Sequence, residues 1–313
     1  GDPSPNMNGN RGSTALDRGN DWFFADALDG VGCSSFPKWN NLDDADFGMR
    51  VEFVKSAAQG KRVWLSEVQG GRSAIGFNVY QPVDAPSQQR WIWNGLACGA
   101  DTILFWCWRD EVFGRESGGF GLIGLDGLAE ERLAAMKVTG RLIRENQDLL
   151  DGYQPAKPQV GVLFSPRSYY LYWAQEGNAN RAVSAIHAYA RSLVRRSIPY
   201  LVVEEDHLGA LEGLQILFLP RLIVTSPHLE EKLSAFVRGG GTLVCESECG
   251  AFSPEGFYRY PNERFLRELA GVEEIGRRAL AGPLEARFAG RELKLNGDQW
   301  LTPMAGKAEV AAR

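Results

Sequence analysis

The chain has 313 residues, 44% of them hydrophobic, which is enough for one large or two medium-sized domains with proper cores. A formal net charge of −5 argues against nucleic acid as a partner, and no stretch reaches the roughly 20 apolar residues of a membrane span. The five cysteines include no CxxC pair, and the three histidines lie far apart in the sequence. We therefore expect reduced, structural cysteines, no metal site and no cofactor.

Residues 1–152 show an alternation of strand and helix patterns. We predict strands at Gly30–Ser35, Arg62–Glu67 and Asp101–Trp108. The predicted helices are Asp21–Leu28 with Asn20 as its cap, Asp43–Ala58, Pro86–Gly95 and Leu128–Leu149. Three successive strand–loop–helix units imply a parallel sheet with right-handed crossovers. The loops that follow the strands then meet at one edge of the sheet, where parallel α/β folds place their active sites.

The proline-flanked segment Tyr153–Lys157 indicates a linker to a second α/β domain. The order of its predicted elements is that of a flavodoxin-like fold. The predicted strands are Gln159–Ser165, Tyr200–Glu204, Gln215–Pro220 and Thr242–Glu246, and the helices are Ala179–Arg196, His228–Arg238 and Phe265–Gly271. Short β segments are predicted after residue 279, followed by a helix at Met304–Arg313.

The second domain offers one candidate nucleophile. Cys245 ends a predicted strand, but its surroundings lack the tight G-x-C-x-G turn that a glutaminase nucleophile uses. We therefore favour packing and oligomer assembly over a second active site in this domain.

Two carboxylates of the first domain follow neighbouring strands. Glu67 ends an apolar strand, and Glu116 lies in the glycine-rich loop after the next strand. Glycoside hydrolysis needs two carboxyl groups that flank the scissile bond, and tryptophans gather in the flanking segments as possible stacking platforms for sugars. Plainer interpretations stay open, with Glu67 as a salt-bridge partner and Glu116 as ordinary loop polarity. Asp110 and Glu111 are expected to be a solvated pair of loop charges.

Taken together, these segments resemble glycoside hydrolase family 42, the β-galactosidases. The resemblance is carried by the order and spacing of several motifs rather than by one of them. The motifs are Asp29–Trp39 with its FPKW ending, Trp64–Gln69 with Glu67 followed closely by Gln69, Gly99–Arg109 with Gly114–Glu116, Asp126–Gly127, and, in the second domain, Gly239–Val244 and Phe265–Val272.

The resemblance implies an α/β fold in which residues 1–152 are the C-terminal portion of a (β/α)8 TIM barrel and residues 158–313 are a flavodoxin-like trimerisation domain. It implies a retaining hydrolase of terminal β-D-galactosides or related sugars, with Glu67 as the catalytic nucleophile. The implied substrate contacts are Glu116, Phe36, Trp39, Phe77 and Arg109. A homo-oligomer, specifically a trimer, is implied through the second domain, with the loop Phe252–Tyr260 as a candidate wall of the neighbouring site. We expect a cytoplasmic location.

The sequence departs from the family pattern at three positions. The family usually has Tyr where Phe36 stands, Trp where Phe77 stands and His where Gly119 stands. Its acid/base Glu lies in an Asn-Glu pair that residues 1–150 lack, since the Asn262–Glu263 pair falls in the second domain. We therefore expect a fragment without the acid/base residue. The alternative is a non-catalytic carbohydrate-binding or assembly protein derived from the same fold.

Overall fold

The computed structural model describes residues 20–280, 282–288, 290–295 and 300–309. Within these ranges the chain forms two α/β units, which are joined by the segment 153–159, where neither helix nor strand is present.

The first unit is built on a three-stranded parallel sheet, in which the strand Arg62–Gln69 lies between Gly30–Ser35 and Thr102–Trp106. Its elements in chain order are α1 (Asp21–Ala27), β1 (Gly30–Ser35), α2 (Asp44–Ala58), β2 (Arg62–Gln69), β3 (Ala74–Ile75), β4 (Asn78–Val79), α3 (Ala85–Ala97), β5 (Thr102–Trp106), α4 (Ala129–Glu145) and α5 (Gln147–Asp151). The predicted strands and helices of this unit are confirmed with shifts at their ends. The predicted helix over 128–149 is interrupted at Asn146, whose φ of −118° and ψ of 25° are not helical.

One face of this sheet is covered and the other is open. Val63 and Leu65 of β2 are buried against α2 and α3, whereas Trp64 between them is 40% exposed. Leu104 of β5 is likewise 46% exposed, although parallel strands are normally buried on both faces. One covered face and one open inner face are what three neighbouring strands of a (β/α)8 barrel wall present, which agrees with the expected fold class.

The second unit is built on a four-stranded parallel sheet with a flavodoxin-like order. From one edge to the other, its strands are Tyr200–Glu204, Val160–Phe164, Ile216–Leu219 and Thr242–Cys245. Its elements in chain order are β6 (Val160–Phe164), α6 (Pro166–Glu176), α7 (Asn180–Val194), β7 (Tyr200–Glu204), β8 (Ile216–Leu219), α8 (Pro227–Arg238), β9 (Thr242–Cys245), α9 (Phe265–Ala270), β10 (Val272–Glu274), β11 (Arg278–Ala279), β12 (Leu284–Phe288), β13 (Arg291–Leu295), β14 (Trp300–Leu301) and β15 (Met304–Gly306).

Two predictions for this unit need correction. Helix α6 is an additional element that the predicted order did not include, and it begins at Pro166 after the capping hydroxyl of Ser165. The predicted terminal helix is wrong at its start, because Met304–Gly306 is a strand paired antiparallel with Val272–Glu274. The end of that predicted helix, residues 310–313, lies outside the described residues.

Helix α2 joins the two units because it is buried on two sides. Phe47 and Val51 face the core beneath the barrel sheet. Met49 and Phe53 belong instead to the core of the second unit. A helix with apolar residues on two faces is expected to be buried on both of them.

Polar contacts add to this interface. Arg191 of α7 pairs with Asp43 and Asp46, and the Nε2 atom of His187 lies 2.9 Å from Asp46 Oδ1. The amide N–H of Val202 donates to the Ser56 hydroxyl at 2.8 Å. The two units are therefore fixed to each other by a shared core and by hydrogen bonds.

Candidate active site

A β-bulge in β2 determines where Glu67 points. Cys33 pairs with Leu65, but the next residue of β1, Ser34, pairs with Glu67, so Ser66 is an extra residue. The register between β2 and β5 shifts in the same place. Bulges redirect side chains and occur often beside active sites. This bulge breaks the alternation that places Val63 and Leu65 under the helices.

The carboxylate of Glu67 is half-buried and hydrogen-bonded at the end of the middle strand. The hydroxyl of Ser34 donates to Glu67 Oε2 at 2.8 Å. A donor on one carboxylate oxygen restrains the rotation of the group, and a nucleophile needs a defined orientation. The contact therefore suits the nucleophilic role that the resemblance implies.

Gln69, two residues after Glu67, is fully buried and holds the surrounding loops together. Its Oε1 accepts hydrogen bonds from the backbone N–H groups of Lys38 and Trp39, at 3.1 and 3.2 Å. Its Nε2 donates to the carbonyl of Gly71 at 3.0 Å and to the Ser73 hydroxyl at 2.9 Å. This one amide thus connects the loop after β1 with the loop after β2.

An aromatic cluster lies at the same edge of the sheet. The ring of Phe36 is edge-on to Trp39 at 5.6 Å and to Phe120 at 5.5 Å between centroids. Trp39 also contacts Phe120 at 5.6 Å and Tyr80 at 6.3 Å. Phe36 and Trp39, which were predicted as substrate contacts, thus lie against each other. Phe120 and Tyr80, which were not predicted as part of the site, complete the cluster.

The loop after β5 places Glu116 and Arg109 differently from each other. Glu116 is half-buried, and the side chain of Arg109 is exposed. The pKa of the Cys107 thiol is raised by burial and then by the carboxylates of Asp110, Glu111 and Glu116. Glu116 is therefore close enough to the end of β5 to act on its electrostatics.

Phe77 stands apart from the aromatic cluster. It lies at the tip of the β3–β4 hairpin with its side chain fully exposed. Gly119, the third departure from the family pattern, has no room for a larger residue, because a Cβ there would lie 2.6 Å from the backbone nitrogen of Ala74. A histidine therefore does not fit here unless the backbone moves.

A buried arginine fixes the loop that carries Glu116. Arg132 is fully buried and pairs with Asp126 at 2.8 Å. It also donates to the carbonyls of Val83 at 3.0 Å, Leu122 at 2.9 Å and Gly121 at 3.2 Å. The sequence carries no signal for this role, since an arginine on a helix is usually exposed.

Asp110 corrects the expectation of a solvated charge pair in the same loop. Its Oδ1 accepts from the Gly121 N–H at 2.8 Å and its Oδ2 from the Leu125 N–H at 3.0 Å. Glu111, by contrast, is exposed as expected. Asp110 thus closes the loop by binding its backbone.

Within the described ranges, no three His, Cys, Asp or Glu side chains form a group that could hold a metal ion.

The thiols of Cys245 and Cys249 contact each other. This contact lowers the pKa of the Cys245 thiol, whereas the same contact, together with burial, raises the pKa of the Cys249 thiol.

Of the helices in the described part of the chain, none is both long and apolar enough to cross a membrane.

Two family models match the chain. The model described as β-galactosidase matches residues 7–143, and the model described as β-galactosidase trimerisation domain matches residues 158–306. A catalytic-barrel segment followed by a trimerisation domain is the arrangement of glycoside hydrolase family 42, and the chain belongs to this family of β-galactosidases.

Individual relatives agree with this assignment. The β-galactosidase GalA of Bacillus licheniformis is 23% identical over 261 residues, which are 80% of this chain and 38% of the relative. The β-galactosidase BglY of Alicyclobacillus acidocaldarius is 24% identical over 271 residues, again 38% of its own length. The chain thus spans little more than a third of the curated relatives it matches.

Solved structures show the same fold at low identity. The β-galactosidase of Bacillus circulans sp. alkalophilus has a TM-score of 0.81 at 18% identity, over 93% of this chain and 44% of that one. The β-galactosidase of the haloarchaeon Halorubrum lacusprofundi has a TM-score of 0.78 at 20% identity, over 93% and 45%. At these identities the likeness establishes the fold.

Proposed function

We propose that the native-length polypeptide containing this chain is a retaining glycoside hydrolase that acts on terminal β-D-galactosides or related sugars. The observation that carries the proposal is the placement of Glu67. It lies two residues before the end of the middle strand of a barrel segment, is redirected by a bulge and is hydrogen-bonded by Ser34. We place the division between the barrel part, residues 1–152, and the trimerisation domain, residues 158–313, in the segment between them.

In the first step Glu67 attacks the anomeric carbon of the sugar. A bond forms between its carboxylate oxygen and C1 while the bond from C1 to the leaving oxygen breaks, and the electron pair departs with the leaving group. A second carboxyl group protonates that oxygen and later activates water. We place this acid/base group outside residues 1–150, because these residues contain no Asn-Glu pair. The Asn262–Glu263 pair lies in the second unit, where Glu263 accepts a hydrogen bond from the Tyr260 N–H.

The substrate contacts are proposed around this nucleophile. Trp39 and Phe36 form the aromatic side of the pocket, since they pack on each other beside the strand ends. Glu116 binds sugar hydroxyls from the loop after β5, and Arg109 and Phe77 supply outer contacts from exposed positions. Their exposure leaves both side chains free to contact a substrate or a neighbouring subunit.

Assembly is proposed to run through the second unit as a trimer, with the loop Phe252–Tyr260 as part of a neighbouring site's wall. The rings of Phe252 and Tyr258 pack 5.3 Å apart, while Phe257 and Tyr260 are 73% and 69% exposed. Packed aromatics that support exposed ones are suited to contact another subunit.

A second candidate function is a non-catalytic carbohydrate-binding or assembly protein. It is favoured by the backbone at Gly119, which leaves no space for a sugar-binding histidine, and by the full exposure of the Phe77 side chain at the hairpin tip. Both features reduce the grip on a sugar but leave Glu67 unaffected.

The test is Glu67→Ala in the native-length polypeptide, assayed with 2,4-dinitrophenyl β-D-galactoside, whose leaving group departs without protonation. Catalysis by Glu67 predicts a loss of several orders of magnitude in kcat/KM and rescue by azide, which yields a galactosyl azide of inverted configuration. The matched control is Glu111→Ala, an exposed carboxylate at the same sheet edge, which should retain wild-type activity. A Glu67→Ala variant with wild-type activity would contradict Glu67 as the nucleophile. A folded wild-type protein that binds galactose without hydrolysing the aryl galactoside would support the non-catalytic alternative.

A further inference from the structure

Ser34 is placed so that its hydroxyl serves Glu67. It is buried, with 9% of its surface exposed, and its Oγ lies 2.8 Å from Glu67 Oε2. The two residues are direct partners across the parallel strands, just after the register shift. The backbone of Ser34 is itself held from behind, because Arg50 Nη1 donates to its carbonyl at 3.2 Å.

The bulge alone does not determine how the carboxylate of Glu67 is oriented. It moves the Cα–Cβ bond of Glu67 toward the open face, but a glutamate side chain still has three rotatable bonds. A donor on Oε2 restrains the outer torsions and leaves the second oxygen, Oε1, for attack on a sugar. Attack by a carboxylate that must first rotate into place would be slower, because the geometry of approach controls the rate.

We propose that Ser34 is a positioning residue that holds the carboxylate of Glu67 in its attacking orientation. The catalytic consequence rests on the proposed hydrolase function, whereas the hydrogen bond itself does not. Phe36, on the same loop edge, has no hydroxyl to offer the carboxylate, so the donor comes from within the strand instead.

The neighbouring serine supplies a matched control. Ser35 is fully buried in the same strand, and its Oγ has no hydrogen-bond partner among the described residues. Ser34→Ala and Ser35→Ala remove the same atoms from adjacent buried positions, but only Ser34→Ala removes a donor from Glu67. Ser34→Thr keeps the hydroxyl and is the conservative variant.

The kinetic arm measures hydrolysis of 2,4-dinitrophenyl β-D-galactoside in the native-length polypeptide. Loss of a hydrogen bond to a charged group predicts a roughly 10- to 100-fold lower kcat/KM for Ser34→Ala, mostly in kcat. Ser34→Thr keeps the donor and should recover kcat relative to Ser34→Ala, and Ser35→Ala should keep the wild-type kcat. Equal effects of Ser34→Ala and Ser35→Ala would overturn the proposal.

A second arm does not depend on activity. In protein labelled with carboxyl-¹³C glutamate, the Glu67 resonance is assigned by its absence from Glu67→Gln. It should shift in Ser34→Ala and stay in place in Ser35→Ala. A shift without galactoside hydrolysis would retain the hydrogen bond and reject the hydrolase function, whereas an unmoved resonance in an active enzyme would reject the role of Ser34 alone.

Discussion

Arg132→Ala is expected to release the loop that carries Glu116. The guanidinium is fully buried, and the side chain of its partner Asp126 is only 2% exposed. Removal of one partner from a buried ion pair costs about 3–5 kcal/mol, because the other charge stays buried without compensation. The carbonyls of Gly121 and Leu122 lose a donor at the same time. We take about 3–5 kcal/mol as the whole effect, since these contacts form one network.

Amide hydrogen exchange of residues 121–123 measures this local opening directly. The amides of Leu122 and Ile123 donate to the carbonyls of Cys107 and Trp108, at 2.8 and 3.0 Å, so they report on whether the loop stays on the strand end. About 3–5 kcal/mol corresponds to roughly 10²- to 4 × 10³-fold faster exchange, since about 1.4 kcal/mol is a factor of ten. The control is Arg141→Ala on the same helix, since the Arg141–Glu145 pair is 3.9 Å apart and exposed and should contribute under about 0.5 kcal/mol. Protection in Arg132→Ala that equals protection in Arg141→Ala would refute the reasoning.

Three further predictions concern the interface and the site. Burial raises the pKa of Glu52 to about 7. The stability contributed by its protonated form is therefore present below pH 4.5 and is lost as pH rises through about 7. Glu52→Gln should flatten this pH dependence of the free energy of unfolding. Burial alone would lower the pKa of His207, but hydrogen bonds with Glu204 and Asp26 raise it above its usual value. The stability that the charged imidazole contributes is therefore present below pH 6.5 and is lost as pH rises through the folded-state pKa. His207→Gln should not show this loss of stability in urea titrations at increasing pH. Gln69→Leu should lower kcat/KM roughly 10-fold or more, because the buried N–H groups of the loop that carries Trp39 lose their acceptor; an unchanged kcat/KM would contradict that role.

Much of the fold could be predicted because local signals agree with the tertiary structure. Asn20 caps α1 through a hydrogen bond from the Trp22 N–H, as its position before an apolar run predicts. Phe47 and Val51 share the helix face that packs on the barrel sheet, as their spacing indicates. Where such local signals conflicted, as for Met304–Gly306, strand pairing with distant residues decided the outcome.

The site was less accessible to sequence reasoning, for physical reasons. The bulge at Ser66 depends on the register of β2 with both neighbouring strands. Local sequence patterns do not specify this register, so the bulge could not be predicted from them. The roles of Ser34 and Arg132 depend on burial and on contacts far along the chain. The position of Glu67 near the end of β2 could be predicted, because it follows an apolar run with the pattern of a strand. The catalytic and binding roles of Glu67, Glu116, Phe36, Trp39, Phe77 and Arg109 stay predictions.

The central proposal is that Glu67 is the nucleophile of a retaining hydrolase of terminal β-D-galactosides or related sugars. The most direct test is to label the native-length polypeptide with a 2-deoxy-2-fluoro-galactosyl trapping reagent, followed by peptide mapping. The proposed mechanism predicts one covalent adduct, on the carboxylate of Glu67, because the fluorine slows hydrolysis of the glycosyl–enzyme intermediate. An adduct on another carboxylate, or none in a folded protein that still hydrolyses an aryl galactoside, would contradict it.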